Sequence, residues 1–408
     1  MSKLNTSAGF RAAASSRILD LSWQAFGTGM LGAIVGFLGS FAVVLQGLRA
    51  AGANEAQAIS GLIVLSLGMG LSGIILALRY RMPIGVAWST PGAALLIASG
   101  DTLNSVNEAI GAYVASALLL ILAGWFRPLG RLIEAIPASL ANAMLAGVLL
   151  SICLAPIEAL ASDAWLAVPV LMTWWLVGHF NRFFAVPAAL MVLMPVVVWR
   201  LGIPEGFAEQ VQASLVPHVE FIKPVFELQA MVSIGIPLFV VTMASQNVPG
   251  VAVLRASGYQ PKAGPLIINT GLFSLLTSPF GAHGINLAAI TAAMFCSPDA
   301  HTDPARRYWS AAFAGMAYLV LGALAGLTGL FVTMVPGVLV EAIAGLALLG
   351  SFSSAIVAAL SDLKQREASA VTFLFAASGL TFLGVGGAFW GLLIGAVMFI
   401  VITFRDTR

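Results

Sequence analysis

Ser278-Pro279-Phe280-Gly281-Ala282-His283-Gly284-Ile285-Asn286 decides the fold. It lies inside a run otherwise apolar enough to cross a bilayer, yet it holds a proline, two glycines, an asparagine and one of the chain's four histidines. Proline removes a backbone donor and blocks a continuous helix. Glycine permits backbone angles that other residues avoid. A helix broken here leaves N–H and C=O groups unpaired in a place without water, unless a cavity or ligand takes them up. Trp88-Ser89-Thr90-Pro91-Gly92 is a similar break much earlier in the chain. The two breaks read as the halves of one substrate site.

The surrounding chain is 60% hydrophobic and only 9% charged over 408 residues. A soluble domain carries about 25% charged residues, so this is an integral membrane protein. The apolar runs are solid, as from Gly61 to Leu78 and from Phe389 to Phe404. Barrel strands would instead alternate over roughly ten residues, so the spans are helices. Fourteen candidate spans follow, at about 28–48, 58–78, 84–98, 106–126, 137–155, 163–179, 184–201, 231–254, 264–277, 283–296, 309–330, 336–360, 369–383 and 385–404. The third and tenth are short for a bilayer that needs about 20 residues, and they carry the breaks.

With the N-terminus in the cytoplasm, alternation places only Arg49, Arg200 and Lys223 outside and the remaining basic residues inside. The positive-inside rule favours that arrangement, which also leaves the C-terminus cytoplasmic. A weak repeat supports the count. Leu48-Arg49-Ala50-Ala51-Gly52 corresponds to Leu254-Arg255-Ala256-Ser257-Gly258, Gly61 to Gly264, Pro91 to Pro279, and Ile136-Pro137 to Val335-Pro336, in the same order. Seven spans is an odd number, so the second copy enters the membrane inverted, a transporter signature. The expected organisation is an N-terminal interfacial segment (1–27), a first seven-span repeat (28–201), an external connector (202–230) and a second repeat with a short tail (231–408). No signal peptide is expected. Cys153 and Cys296 form no CxxC pair and read as buried hydrophobes, with no metal or cofactor implied.

Ala87-Trp88-Ser89-Thr90-Pro91-Gly92-Ala93-Ala94, Thr242-Met243-Ala244-Ser245-Gln246-Asn247-Val248-Pro249-Gly250 and Gly281-Ala282-His283-Gly284-Ile285-Asn286 resemble the benzoate:proton symporter (BenE) family of bacterial inner membranes over nearly the whole chain. The resemblance implies uptake of an aromatic carboxylate driven by protons. It also implies kinship with uracil/xanthine permeases and sulfate-type anion transporters. That wider group has fourteen spans in two inverted sevens, divided into core and gate domains, with spans three and ten discontinuous. By analogy with that architecture a homodimer is expected. The nucleobase permeases use acidic residues where this chain has Ser245-Gln246 and Ala282-His283, so their proton coupling does not transfer.

The residues themselves suggest a site for a carboxylate without arginine. A half-helix starting within the membrane points free N–H groups and a positive dipole end at the cavity. One half-helix is expected after Pro91 and one after Gly281. Backbone amides near Gly92 and Gly284, with Ser89, Thr90 and Gln246, are the expected anion contacts, and Trp88, Phe41 and Phe280 the walls of an aromatic slot. Anion uptake works against an inside-negative potential by about 2.3 kcal/mol per charge per 100 mV, which a co-transported proton cancels. His283, with a reference pKa of about 6.5, is the local candidate to carry it, or else a neutral histidine hydrogen-bonded in the bundle. Asn247 reads either as a substrate contact or as helix glue. Glu341, the one acid placed well inside a span, reads as a gating or proton group or as a structural hydrogen-bonding partner. Gln46 is within reach of the same cavity. The chain has no GxSxG and no HExxH, so an enzyme is not expected, and nothing suggests nucleic acid. A channel or facilitator for small anions, or a carrier of another substrate such as a nucleobase, stays open.

Overall fold

A computed structural model describes residues 22–99, 102–126, 137–203, 206–383 and 385–406. Most of the expected interfacial segment 1–27 lies outside these residues. Ser22 caps helix α1 (Trp23–Leu38) by accepting from the Ala25 N–H at 3.0 Å, so the first helix begins before residue 28. After α2 (Phe41–Ala50), helix α3 (Glu55–Tyr80) opens on a reciprocal capping box between Asn54 and Gln57. Strand β1 (Val86–Trp88) then leads into α4 (Thr90–Ser99), followed by α5 (Val106–Trp125). Three apolar helices come next: α6 (Ala138–Ser162), α7 (Ala164–Phe180) and α8 (Arg182–Leu201). A short helix, α9 (Phe207–Ser214), lies in the connector.

The second half opens with α10 (Leu228–Ala256), which contains two π turns, Met231–Gly235 and Met243–Asn247. Helix α11 (Ala263–Thr277) ends in a 3₁₀ turn at Ser278–Phe280, and β2 (Ile285–Leu287) leads into α12 (Ile290–Cys296). Helices α13 (Tyr308–Ala323) and α14 (Ala325–Met334) form one apolar pair bent by 53°. Helices α15 (Gly337–Leu360) and α16 (Arg366–Ala377), the short hairpin of β3 (Thr381–Phe382) with β4 (Val385–Gly386), and α17 (Gly387–Asp406) complete the chain.

The protein is thus a mostly helical membrane protein. Among the described residues seven helices are long and apolar enough to cross a bilayer, or eight with the bent pair counted as one span. The segments expected to be discontinuous each contain a short strand, and the two strands pair with each other. Backbone groups that leave a helix inside an apolar bundle need partners, and a strand pair supplies them.

The helices pack in two groups. The first holds α1 to α5 and α10 to α14, and the second α6 to α8 and α15 to α17. In the first group α3 lies along α13 and α11 along α5. Both crossings bring backbone onto backbone. A Cβ on Gly70 would come within 2.7 Å of the Gly315 carbonyl oxygen, and one on Gly264 within 2.6 Å of that of Gly124. Small residues permit this approach, and packing rather than water exclusion holds helices together in lipid. Replacing Gly315 with valine should therefore destabilise the protein by roughly 1–3 kcal/mol, read as a lower unfolding midpoint in detergent. Gly350→Ala, at a site with nothing within 4 Å of an added Cβ, should leave the midpoint unchanged.

Candidate functional site

The two breaks meet. Strands β1 and β2 are antiparallel, with Val86 opposite Leu287, Ala87 opposite Asn286 and Trp88 opposite Ile285. Two matching hydrogen bonds flank the pair: the Ser89 N–H donates to the Gly284 carbonyl (3.0 Å) and the Ala288 N–H to the Gly85 carbonyl (2.9 Å). These bonds relate Gly85 to Gly284 and Ser89 to Ala288. Pro91 and Pro279 are therefore not equivalent: Pro91 sits in the first turn of α4, after its strand, and Pro279 in the 3₁₀ turn before β2. Proline suits a first helical turn as well as a tight turn, so its presence alone does not fix register.

Side chains complete the outer edge of β2. Ser274 Oγ accepts from the Ile285 N–H (2.8 Å) and Asn247 Oδ1 from the Leu287 N–H (2.9 Å). Asn247 is fully buried. Of its two readings, the structure gives it the role of holding β2 in place. Ser245 is also occupied, bonding to the Val241 carbonyl at 2.5 Å. Gln246 in the same π turn is half-buried, and the turn packs against α6. π turns recur at functional sites because they redirect side chains.

The helix starts differ from expectation. Ser89 Oγ accepts from the Gly92 N–H (3.1 Å) and pairs with Thr242 Oγ1 (2.9 Å). Pro91 has no N–H, so the start of α4 offers fewer free amides than expected. The second half-helix begins at Ile290, well after Gly281. Gly281 adopts φ +97° and lies against α3, where a Cβ would come within 3.1 Å of the Gln57 carbonyl oxygen and of Gly61 Cα. It serves close packing and a left-handed turn. Gly284 contributes its carbonyl to the strand pair. Thr90, next to Ser89, is half-buried, and α4 packs against α6. Thr90 and Gln246 thus both lie on elements that meet the second helix group.

His283 sits at the crossing, with 1% of its surface exposed. Its Nε2 is 2.8 Å from the Ser89 carbonyl oxygen, and its ring lies edge-on to Tyr113 of α5 at 6.4 Å. Its Nδ1 is buried without a partner, as is Thr291 Oγ1 in the first turn of α12. Trp88 and Phe41 are brought together in one aromatic cluster with Phe37 and Phe331. Each is only 2% exposed, and the Trp88 indole N–H donates to Ser40 Oγ (2.8 Å). Phe280 is elsewhere, packed on Phe221 of the connector at 5.8 Å.

A cavity of about 180 Å³ opens along the seam between the two groups, lined by Gln46, Ile97, Ser151, Glu158 and Glu341 among others. Of these, Gln46 was read as within reach of the substrate cavity and Glu341 as a gating or structural group. Glu158 was not singled out, because the fifth span was placed at about 137–155. Helix α6 continues past Pro156 to Ser162. Proline removes the N–H that would bond the Ile152 carbonyl, and the backbone of Gly345 packs directly on that carbonyl. Two further features escaped the sequence. The connector is docked rather than loose: the Ile222 N–H donates to the Pro279 carbonyl (2.7 Å), the Val225 N–H to that of Asn107 (2.9 Å) and the Glu220 N–H to Ser60 Oγ (2.9 Å). Arg307 closes the other end of α12, donating to the carbonyls of Cys296 (2.6 Å) and His301 (2.8 Å), which suits the negative end of a helix.

Known proteins resemble this chain in sequence and in fold. The BenE family model, described as benzoate membrane transport protein, matches residues 20–401. Inner membrane protein YdcO of Escherichia coli K12 is 39% identical over 93% of this chain and 96% of its own length. The benzoate membrane transport protein of Acinetobacter baylyi is 31% identical over 94% of this chain and 96% of its own. Among solved structures, the transmembrane domain of the cyanobacterial bicarbonate transporter BicA superposes with a TM-score of 0.61 at 14% identity, over 92% of this chain and 98% of that one. SLC26A9 does so with 0.63 at 12% identity, over 99% of this chain and 70% of that one. At such identities these two show a shared fold. The family match spans both broken segments and the seam beside them, and the chain belongs to the BenE family of membrane transport proteins.

Proposed function

We propose that the protein is a secondary active transporter that imports benzoate or a similar aromatic carboxylate together with protons. The observation that carries this reading is the crossing of the two broken segments, with half-buried Thr90 and Gln246 beside it at the seam between the helix groups. Ligands of transporters with interrupted helices bind at such crossings. The description of the family and the name of the Acinetobacter relative favour benzoate as the substrate. In this reading the first helix group is the core and the second the gate, and the substrate is exposed alternately by their relative movement. The fourteen-segment inverted repeat accords with the flanking hydrogen bonds, which relate β1 to β2 by a local two-fold, and with the mirrored pairing of α3 with α13 and α11 with α5. An inner-membrane location with both termini in the cytoplasm, and a homodimer, complete the proposal.

Thr90 and Gln246 contact the carboxylate. The aromatic ring lies towards the apolar faces of α4 and α6, because Trp88 and Phe41 are already packed. Glu341 and Glu158, on α15 and α6, act at the gate, since they line the open part of the seam.

Purified protein in proteoliposomes should accumulate labelled benzoate above its outside concentration, and an uncoupler should collapse the gradient. Equilibration without accumulation would favour a facilitator. Unlabelled benzoate should compete, and uracil, sulfate and bicarbonate should not. Gln246→Ala should raise the benzoate half-saturation by roughly tenfold, the equivalent of about 1.4 kcal/mol, without changing the unfolding midpoint. Asn247→Ala should instead lower the midpoint, since an unpaired buried N–H costs about 1–3 kcal/mol. Glu341→Gln should slow maximal uptake while leaving the half-saturation concentration within about twofold.

A further inference from the structure

We infer that Nδ1 of His283 is the atom that carries the transported proton; this rests on the proposed proton-coupled import of an aromatic carboxylate. The Ser89 carbonyl can only accept a hydrogen bond, so Nε2, 2.8 Å away, must bear a hydrogen. A neutral His283 therefore has its lone pair on Nδ1. That lone pair is buried and has no donor, an arrangement proteins rarely leave unsatisfied. The Ser89 bond fixes the tautomer and leaves one place for a second proton.

Protonation at Nδ1 keeps the Nε2–H bond to Ser89, so β1, α4 and β2 stay joined while the ring gains a positive charge. The titratable groups that face it are few. Tyr113 of α5 lies against the ring. In the other elements packed around the crossing, α3, α4, α10 and α11, the acids and bases are Glu55 and Arg79 at the two ends of α3 and Arg255 in the last turn of α10, with Glu108 in the first turn of α5. No carboxylate of these elements stands ready to neutralise an imidazolium at mid-helix. The substrate does so. A carboxylate seated by Thr90, adjacent in sequence to the Ser89 carbonyl that His283 holds, stabilises the charged ring, and the charged ring stabilises the carboxylate. Binding of each raises the affinity for the other by the same factor. The proton adds to Nδ1 from the outer solution, the anion and imidazolium cross as a neutral pair, and departure of the anion returns the proton to the inner solution.

His283→Gln separates the two jobs of the ring, because a glutamine amide can donate to the Ser89 carbonyl but does not titrate. In proteoliposomes with an imposed inward proton gradient of one pH unit, the wild type should accumulate benzoate about tenfold for one proton per anion. His283→Gln should show no gradient-driven accumulation, and any exchange of labelled for unlabelled benzoate that it retains should need a higher benzoate concentration than in the wild type. As a second measurement, wild-type protein in weakly buffered detergent near neutral pH should take up about one proton per benzoate bound, and no proton uptake would overturn the assignment whether or not the variant folds. Gradient-driven accumulation by His283→Gln equal to wild type would overturn it too, leaving the transport reading intact. A wild type that neither binds nor accumulates benzoate would overturn both.

Discussion

Backbone hydrogen bonding without water is the constraint on which this structure depends. Two chain segments leave the helical path inside an apolar bundle, and each would strand polar groups at a cost of several kcal/mol apiece. Pairing β1 with β2 satisfies the facing edges, and Ser274 and Asn247 satisfy the outer edge of β2. What surrounds the crossing follows from this. Ser89 closes the start of α4, Arg307 closes the end of α12, and the connector bonds to the Pro279 carbonyl beside the second break. An irregular stretch is thereby made as well determined as a helix, which a ligand site within a membrane requires.

The same accounting separates residues that build the site from those that remain available to a ligand. Asn247, Ser89 and Gly284 are committed to backbone partners, and Trp88 and Phe41 to an aromatic cluster. Thr90, Gln246 and Nδ1 of His283 are not so committed. A site assembled from few free groups, next to a seam between two helix groups, can discriminate a guest by geometry without a permanent counter-charge.

Proline and glycine punctuation within apolar runs made the two breaks legible, and their meeting followed from reading two copies of an odd number of spans as an inverted repeat. The details were less so. Pro91 and Pro279 looked equivalent because proline serves a first helical turn and a 3₁₀ turn alike, whereas the backbone relates Gly85 to Gly284. An asparagine within an apolar span reads equally as ligand contact or as backbone support, and only the Leu287 N–H distinguishes them. Glu158 stayed hidden because the fifth span was placed at about 137–155, whereas the helix runs on through Pro156 and Gly345 covers the carbonyl that proline exposes. The docking of the connector had no sequence signal, since backbone bonds over long separations leave no trace in residue type.

The glycine crossings have a mechanical consequence. Where α3 meets α13 at Gly70 and Gly315, and α11 meets α5 at Gly264 and Gly124, main chain rests directly on main chain. Such joints transmit displacement without slack, so a push on one helix arrives undiminished at its partner. Compliance is left to the boundary where Gln46, Glu158 and Glu341 border open space, and strain entering the molecule is relieved there first.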